Sequence, residues 1–503
     1  MKRMLLTLLV LFAFVGLSSP NVHAQQQRSA EKADTSDELQ SLKRRIEELE
    51  SQNRQMIQLL NEIRGTLSSD PKAAISAELR VKKEENLAVP SGGIRKDASP
   101  TSYSRVDEPT RPAGPVPAQS GSTQSKASSE PLRWSDLLSD GNRIKFYGLL
   151  RLDLDMDSQR PNNGQAPFFV SSEDPRLGSV EAESYSMHPR LTRFGMDFNG
   201  PKISALGDAA LGGKLELDFE NGGSESRQII RIRHAYLNLK WKEFSILGGQ
   251  TWDVVSPLFP TVNNDTLMWT AGNVGDRRPQ FRVSYDPAIG HNQWSFAAAA
   301  GLMNAVDLQD LDNNGFRDGE ESGRPNVQAR VGYSRPLWVK DQRLSIGVSG
   351  LYGWLSTSRP IANRTSFNTQ LINFDWTVPL ASRLLLRGEG WWGRNLSDIR
   401  GGAGQGINVQ NGREIRGRGG WSEIGVKVSR YWAFYPGFTT DDPVDRDLSA
   451  GSRTRNRAFY FGNRITPGGN FTIGADYLRW RTDFLGFAKG IDNRLNIFFQ
   501  YGF

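Results

Sequence analysis

Cysteine is absent from this sequence of 503 residues, which excludes a disulfide framework and thiolate metal sites. Histidine is scarce: besides His23, only His188, His234 and His291 occur, without an H-x-x-x-H pattern, so a zinc enzyme is not expected. Beyond the N-terminus, no stretch approaches the roughly 18 uninterrupted apolar residues that a membrane-spanning helix needs. The mean hydropathy of −0.51 does not exclude a membrane barrel, because half of each barrel strand and the outer loops are polar.

A concentrated basic run is also missing. The 62 lysines and arginines exceed the 55 aspartates and glutamates, yet they alternate with carboxylates along the chain, so a nucleic-acid partner is not expected. His234 stands beside Arg233, where the in/out pattern of the strand slips, and no serine partner is suggested. The sequence therefore predicts that the protein is not an enzyme and requires no cofactor.

Residues 1–24 have the parts of a secretory signal peptide. Lys2 and Arg3 carry positive charge, residues 5–17 are apolar, and small residues precede the expected cleavage site at Ala24. The mature chain is therefore expected to begin with a short N-terminal tail over residues 25–38.

Residues 39–67 keep one apolar seam through spacings of three and four, which predicts an α-helical coiled coil in the periplasm. The seam widens at Ile57 and Leu59, which favours three helices over two, so the segment is expected to join a homotrimer. The alternative is a single amphipathic helix on the barrel or on a membrane surface. Residues 68–141 are rich in Pro and Ser and poor in large apolar residues, which is typical of a flexible tether, also periplasmic.

Residues 142–503 alternate apolar and polar side chains in many short segments, which predicts an all-β transmembrane barrel with lipid outside and a polar lumen. Long and short connections alternate, and eight long loops give 16 antiparallel strands with both termini in the periplasm. The alternative is a soluble β-sandwich whose apolar faces pack on each other. The final strand ends at Phe503, which resembles the C-terminal signal read by the barrel-assembly machinery of Gram-negative outer membranes.

Four short runs, at 193–198, 231–236, 247–252 and 278–282, resemble the DcaP family of trimeric outer-membrane porins, as does the leading coiled coil. The resemblance implies a 16-stranded barrel, a trimer and passive uptake of small anionic solutes such as dicarboxylates. General porins and carbohydrate- or phosphate-selective porins share this architecture, so these remain alternatives. A surface adhesin or structural barrel protein is a further alternative.

The loop between the predicted fifth and sixth strands, residues 250–280, is unusually apolar for a solvated loop. It is expected to pack on the inner wall and narrow the pore, although a place at the trimer interface is the alternative. Its predicted constriction residues are Trp252, Leu258, Phe259, Leu267, Met268 and Trp269.

Arginines are expected to face this loop from the lumen wall and to select anions, because a guanidinium stays charged and binds carboxylates through a planar fork. If they pair with neighbouring carboxylates such as Asp153, Glu216 and Asp375, they stiffen the wall and selectivity is weak. The predicted pore-lining residues on the wall are Arg151, Arg193, Arg231, Arg233, Arg282, Arg330 and Arg387, with Arg277 and Arg278 on the return limb of the loop.

A loop at residues 310–321 fits the calcium-binding pattern D-x-[DN]-x-[DN]-G-x5-E. Gly315 occupies the position of the sharp turn. The alternative is an acidic, solvated loop tip, because no helices are expected to flank it. The predicted ligands of a structural calcium ion are Asp310, Asp312, Asn314, Phe316 through its carbonyl, Asp318 and Glu321.

Overall fold

The computed structural model describes residues 143–163, 166–177, 183–219, 229–262 and 266–503. The signal peptide, N-terminal tail, coiled coil and tether lie outside these residues, so their assignments stay predictions. In the described part of the chain, no helix is long and apolar enough to cross a membrane.

The described chain is dominated by one large antiparallel sheet. Alternation of branched or aromatic residues with polar ones favours extended backbone throughout. The sixteen long strands are β1 (Arg143–Asp157), β2 (Arg193–Ile203), β3 (Ala209–Asp218), β4 (Arg231–Lys240), β5 (Phe244–Trp252), β6 (Arg277–Tyr285), β7 (Asn292–Gly301), β8 (Asn326–Pro336), β9 (Arg343–Ile361), β10 (Arg364–Ala381), β11 (Leu384–Arg394), β12 (Arg416–Lys427), β13 (Trp432–Pro443), β14 (Arg453–Gly468), β15 (Phe471–Phe484) and β16 (Phe487–Gly502).

The sheet closes on itself because β1 pairs with both β2 and β16. Its partners run from Arg143 opposite Asn199 on one side and from Leu149 opposite Gly502 on the other. Two short segments complete the 18-stranded sheet: Ser184–His188 pairs with β1, and Ala288–Ile289 pairs with the start of β7. The predicted 16-stranded barrel is confirmed, and closure excludes the sandwich alternative.

The two faces of the wall differ as predicted. In β1, Asp153 and Asp155 are fully buried on the inner face, whereas Leu150 and Leu152 on the outer face are 52% and 37% exposed. An apolar belt of this extent has to be shielded from water, and membrane β-barrels bury such a belt in the hydrocarbon region of the bilayer. Its members include Phe194, Ile232, Leu237, Phe281, Val327, Val331, Ile346, Val348, Ile372, Phe374, Phe459, Phe461, Leu495, Phe499 and Tyr501.

The connections at the two ends of the barrel differ in length. One end carries turns such as 241–243 and 382–383 together with both ends of the described barrel, and exposed aromatics including Trp338 and Trp432 surround it. The other end carries the loops 158–192, 253–276, 302–325 and 395–415. This asymmetry matches short periplasmic turns and long outer loops.

Two connections at the long-loop end differ from the prediction of eight long loops. Residues 362–363 and 485–486 are two-residue tips of hairpins, because the strands themselves extend beyond their neighbours. β9 has 19 residues and β10 has 18. Polar residues dominate the outer ends of these long strands as they dominate loops, so the sequence alone could not distinguish the two.

A β-bulge lies in β4, where the sequence pattern slips. The pairing with β3 shifts between Glu216 and Leu217, so that Arg233 and His234 are both buried. A bulge places two residues opposite one and re-aims side chains.

Candidate functional site

The loop 253–276, here called the inner loop, leaves β5 and crosses the lumen instead of extending from the rim. The Val254 N–H donates to Gln328 Oε1 on β8 over 2.7 Å. Further along, the Leu258 N–H donates to Glu389 Oε1 on β11 over 2.8 Å, and the Ser256 hydroxyl donates to the same carboxylate. The first limb therefore lies against the inner wall opposite its own strands.

Glu423 on β12 is the main anchor of this limb. Its carboxylate accepts from the Thr261 N–H (2.8 Å), the Thr261 hydroxyl (2.6 Å), Arg387 Nε (2.7 Å) and the Tyr460 hydroxyl (2.8 Å). Arg464 on β14 donates to the Thr261 carbonyl from the other side. Four hydrogen bonds from three residues satisfy this buried carboxylate, and charge-assisted hydrogen bonds are stronger than those between neutral groups.

The return limb approaches the wall closely at Gly272. The Trp391 indole N–H donates to the Gly272 carbonyl over 2.7 Å. Gly272 has φ of +127°, and a Cβ there would meet the Gly420 carbonyl oxygen at 2.5 Å, so only glycine fits. Left-handed backbone also occurs at non-glycine residues of this loop, including Leu267 and Met268. Such conformations persist where surrounding contacts fix them.

Neighbouring loops cover the inner loop. Trp269 is fully buried against Phe168 of the 158–192 loop, and Thr270 donates its hydroxyl to the Phe168 carbonyl over 2.7 Å. The Arg400 guanidinium of the 395–415 loop stacks over Trp269 at 4.8 Å and bonds to Asp276 at 2.9 Å. Three loops thus form one packed unit inside the long-loop end of the barrel.

The predicted constriction residues divide between wall and loop. Trp252 is the last residue of β5, so the loop is shorter than the predicted 250–280, and its ring lies 4.4 Å from that of Phe259. Leu258 is partly exposed, whereas Leu267, Met268 and Trp269 are almost fully buried within the packed unit. The inner loop lies in the lumen, and its role as a constriction stays a prediction.

Several predicted pore arginines are paired with carboxylates. Arg151 forms two 2.9 Å bonds to Asp153, and Arg231 forms a fork with Asp218. These side chains are at most 11% exposed.

The next two predicted pore arginines share a carboxylate. Arg233 bonds to both Glu216 and Asp218, at 2.5 and 3.1 Å, and Arg193 lies 3.8 Å from Glu216. The pairing supports the alternative in which inward charges stiffen the wall.

Arg277 and Arg278 begin β6 rather than lying on the loop. Arg277 stacks over Trp252 at 4.5 Å. Arg278 is fully buried and bonds to Asp253 and to Asp398, at 2.6 Å each. Burial raises the pKa of Asp398 to about 6, although the Arg278 guanidinium lowers it. Arg278 therefore ties the inner loop to the 395–415 loop.

Arg282, Arg330 and Arg387 keep part of their surface accessible inside the barrel, as does Arg231. The Arg330 and Arg387 side chains are each 19% exposed although they bond to Asp375 and Glu423 at 2.7 Å. Arg282 is half-buried, and among the described residues it bonds only to neutral acceptors, Gln280 Oε1 at 2.9 Å and the Trp252 carbonyl.

A cavity of about 720 Å³ opens at the short-turn end of the lumen. Leu385, Gly425, Tyr435 and Arg464 line it on the inner face of the wall. Because Arg464 also bonds to Thr261, the inner loop lies at the inner end of this vestibule.

Sequence reasoning missed several residues that hold the site. Glu423 and Arg464 follow the same alternation as their neighbours and could have been assigned inward from strand phase. Arg400 and Asp398 lie in an irregular loop, and Arg400 has φ of +64°, so no sequence pattern pointed to their contacts.

The predicted calcium ligands lie together in the 302–325 loop. Carboxylate oxygens of Asp310, Asp312 and Asp318 are within 4.8 Å of one another. Asn314 Nδ2 lies 2.9 Å from Glu321 Oε1. The Phe316 N–H donates to Asn314 Oδ1 over 2.8 Å.

No protein-family model and no curated protein matches the chain. Among solved structures, it is similar to the outer membrane channel DcaP of Acinetobacter baumannii, with 17% identity, a TM-score of 0.57, and coverage of 73% of this chain and 99% of that chain. It is also similar to OprB of Pseudomonas putida and to an anion-selective porin of Comamonas acidovorans. OprB is 11% identical with a TM-score of 0.47, and the match covers 73% of this chain and 96% of that chain. The Comamonas porin is 11% identical with a TM-score of 0.46, and the match covers 72% of this chain and 100% of that chain.

The likeness to DcaP confirms the resemblance found in the sequence at the level of the fold. The other two structures have TM-scores below 0.5.

Proposed function

We propose that this protein is an outer-membrane porin, a non-catalytic channel for passive diffusion of small hydrophilic solutes. The observation that carries the proposal is the inner loop, anchored by Glu389 and Glu423 across the lumen of a closed barrel with an apolar exterior. A structural barrel needs no segment across its lumen, whereas a channel needs one to set size and charge selectivity.

The proposed solutes are small anions such as dicarboxylates. Support comes from Arg282, Arg330 and Arg387, whose guanidinium groups reach the lumen near the inner loop, where Arg387 donates to the Phe259 carbonyl at 2.6 Å. A guanidinium binds carboxylate through two parallel hydrogen bonds. The many paired arginines favour a moderate preference, and a general or carbohydrate- or phosphate-selective porin is the competing proposal.

The proposed assembly is a homotrimer in the outer membrane, joined by the coiled coil of residues 39–67 in the periplasm. The barrel-assembly machinery would recognise the C-terminal strand. Phe503 is 51% exposed on the outer face and pairs through its main chain with Gly148, so the end of the signal is presented at the barrel seam.

Reversal potentials across a planar bilayer in a salt gradient test the proposed anion preference. We expect a potential with the sign for faster chloride than potassium permeation, and uptake of succinate into liposomes faster than that of an uncharged sugar of equal size. Cation preference with equal uptake would remove the anion proposal but leave the porin. The absence of any solute uptake by correctly folded protein would remove both.

A further inference from the structure

The 302–325 loop carries a compact acidic cluster away from the lumen contacts. Asp318 is fully buried and Asp312 is 7% exposed, yet neither forms an ion pair with a described residue. Burying carboxylates close together destabilises the fold unless a cation compensates their charge.

The main chain winds around the first carboxylate of this cluster. Asp310 accepts from the N–H groups of Asn314 (3.1 Å) and Gly315 (2.9 Å), so that the following side chains turn toward a common centre. Gly315 has φ of +90°, which the sharp turn requires. A short helix, Asp318–Glu321, then begins at the ninth position of the pattern and brings Glu321 back to the cluster.

Unsatisfied oxygens within the cluster point to a ligand. Asp312 uses Oδ2 to accept from the Arg359 N–H at 2.7 Å, while its buried Oδ1 has no hydrogen-bond partner among the described residues. Glu321 likewise uses Oε1 for Asn314 and Ser358, and its buried Oε2 is unpartnered in the described chain. A buried acceptor left without a donor needs an explanation, and a bound cation supplies one.

The electrostatics of Asp318 agree with this geometry. A carboxylate oxygen of Asp318 lies within 4.8 Å of carboxylate oxygens of both Asp310 and Asp312. The site therefore concentrates negative charge that a divalent cation would neutralise.

We propose that this loop is a calcium site, with oxygen ligands from Asp310, Asp312, Asn314, the Phe316 carbonyl, Asp318 and Glu321. All six ligands are hard oxygens at the spacings that calcium loops use, and Mg²⁺ dehydrates too reluctantly to compete well in such a site. Extracellular calcium loops bind with Kd of about 10⁻⁴–10⁻³ M.

Calcium at this site would stiffen the loop that borders the pore mouth. Near the start of this loop, the N–H groups of Asn304 and Val306 donate to Asp398 at 2.9 and 2.8 Å. Asp398 in turn bonds to Arg278, next to the inner loop. The calcium loop is thus linked to the inner loop through Asp398 and Arg278, and the ion takes no part in solute binding.

Calorimetric titration of the full mature chain with CaCl₂, in detergent free of lipopolysaccharide, tests the proposal. We expect one calcium ion per chain, weaker binding of Mg²⁺, and at least about tenfold weaker calcium binding in Asp312→Asn. The matched control Asp208→Asn alters an exposed aspartate with φ of +58° in a turn at the opposite end and should bind like the parent.

Trypsin cleavage after Arg317 gives a second readout that does not depend on calorimetry. Calcium should protect this bond in the parent chain and not in Asp312→Asn. If Asp312→Asn fails to fold, as judged by heat-modifiable mobility in electrophoresis, Glu321→Gln replaces it with the same expected loss. No saturable heat in the parent up to about 10 mM calcium, ten times the upper Kd above, or equal binding by the folded variants, would overturn the proposal.

Discussion

Arg278 shows how a single buried guanidinium orders the site. Its side chain is fully buried, and it joins Asp253 at the start of the inner loop to Asp398 of the 395–415 loop and to the Leu302 carbonyl at 3.0 Å. Such a network adds little net stability over an apolar one, but losing its cation leaves two buried carboxylates uncompensated.

Replacing Arg278 with methionine should lower the free energy of unfolding by about 3–5 kcal/mol, since it breaks a buried ion network. Urea unfolding of the lipid-reconstituted protein measures this loss. Lys242→Met is the matched control, because Lys242 is 93% exposed and 3.8 Å from Glu243, and its effect should stay within about 0.5 kcal/mol. Equal losses in the two variants would contradict the structural role of Arg278.

Arg282→Gln should reduce the proposed anion preference while leaving the fold intact. A unit charge 4 Å from a permeating ion contributes about 1 kcal/mol in water, so the permeability ratio should fall by at most about fivefold, and less at high salt. Glutamine retains hydrogen-bonding capacity toward Gln280.

Reversal potentials measure the change in Arg282→Gln. Arg418→Gln provides the comparison, because Arg418 lies on the outer face with a side chain 77% exposed and pairs with Asp442. If both variants shift the potential equally, Arg282 does not act on permeating ions.

At the scale of elements, the inner loop is held by a few carboxylates on the far wall. Glu423 alone accepts four hydrogen bonds, two of them from Thr261. The loop therefore depends on β12 for its position, although it connects β5 to β6.

Glu423→Ala should loosen the inner loop, because Thr261 and Arg387 lose a common acceptor. We expect larger single-channel conductance with more frequent current fluctuations, measured in planar bilayers. The control Asp442→Ala removes a carboxylate on the outer face that pairs with Arg418 and Arg455 and should leave the conductance unchanged. An unchanged trace in Glu423→Ala would argue against the loop as the constriction.

Strands were predictable from sequence to the extent that one face meets hydrocarbon. In β16, Leu495, Phe499 and Tyr501 alternate with the buried Arg494 and Asn496, so phase and direction follow from the pattern alone. The extended hairpins at 362–363 and 485–486 were not predictable, because beyond the apolar belt both faces of a strand are polar.

The contacts of the site were only partly predictable. Strand phase placed Arg151 and Arg330 on the inner face, but it could not give their partners, since Asp375 lies two strands from Arg330 and Gln500 lies 349 positions from Arg151 along the chain. Loop packing such as Arg400 on Trp269 depends on tertiary geometry and leaves no local pattern.

At the scale of the whole molecule, the barrel is a closed wall with an exposed apolar belt, a polar interior and a loop across its lumen. The vestibule of about 720 Å³ at the short-turn end and the packed loops at the long-loop end make the two mouths unequal. The proposed channel function requires lipid to cover the outside of the wall while water fills the remaining interior.

Planar-bilayer recording of the purified mature protein tests this claim most directly. We expect stepwise conductance increases on addition of detergent-solubilised protein, together with precipitation when detergent is removed. A folded protein that stays monodisperse without detergent and produces no conductance steps would contradict it.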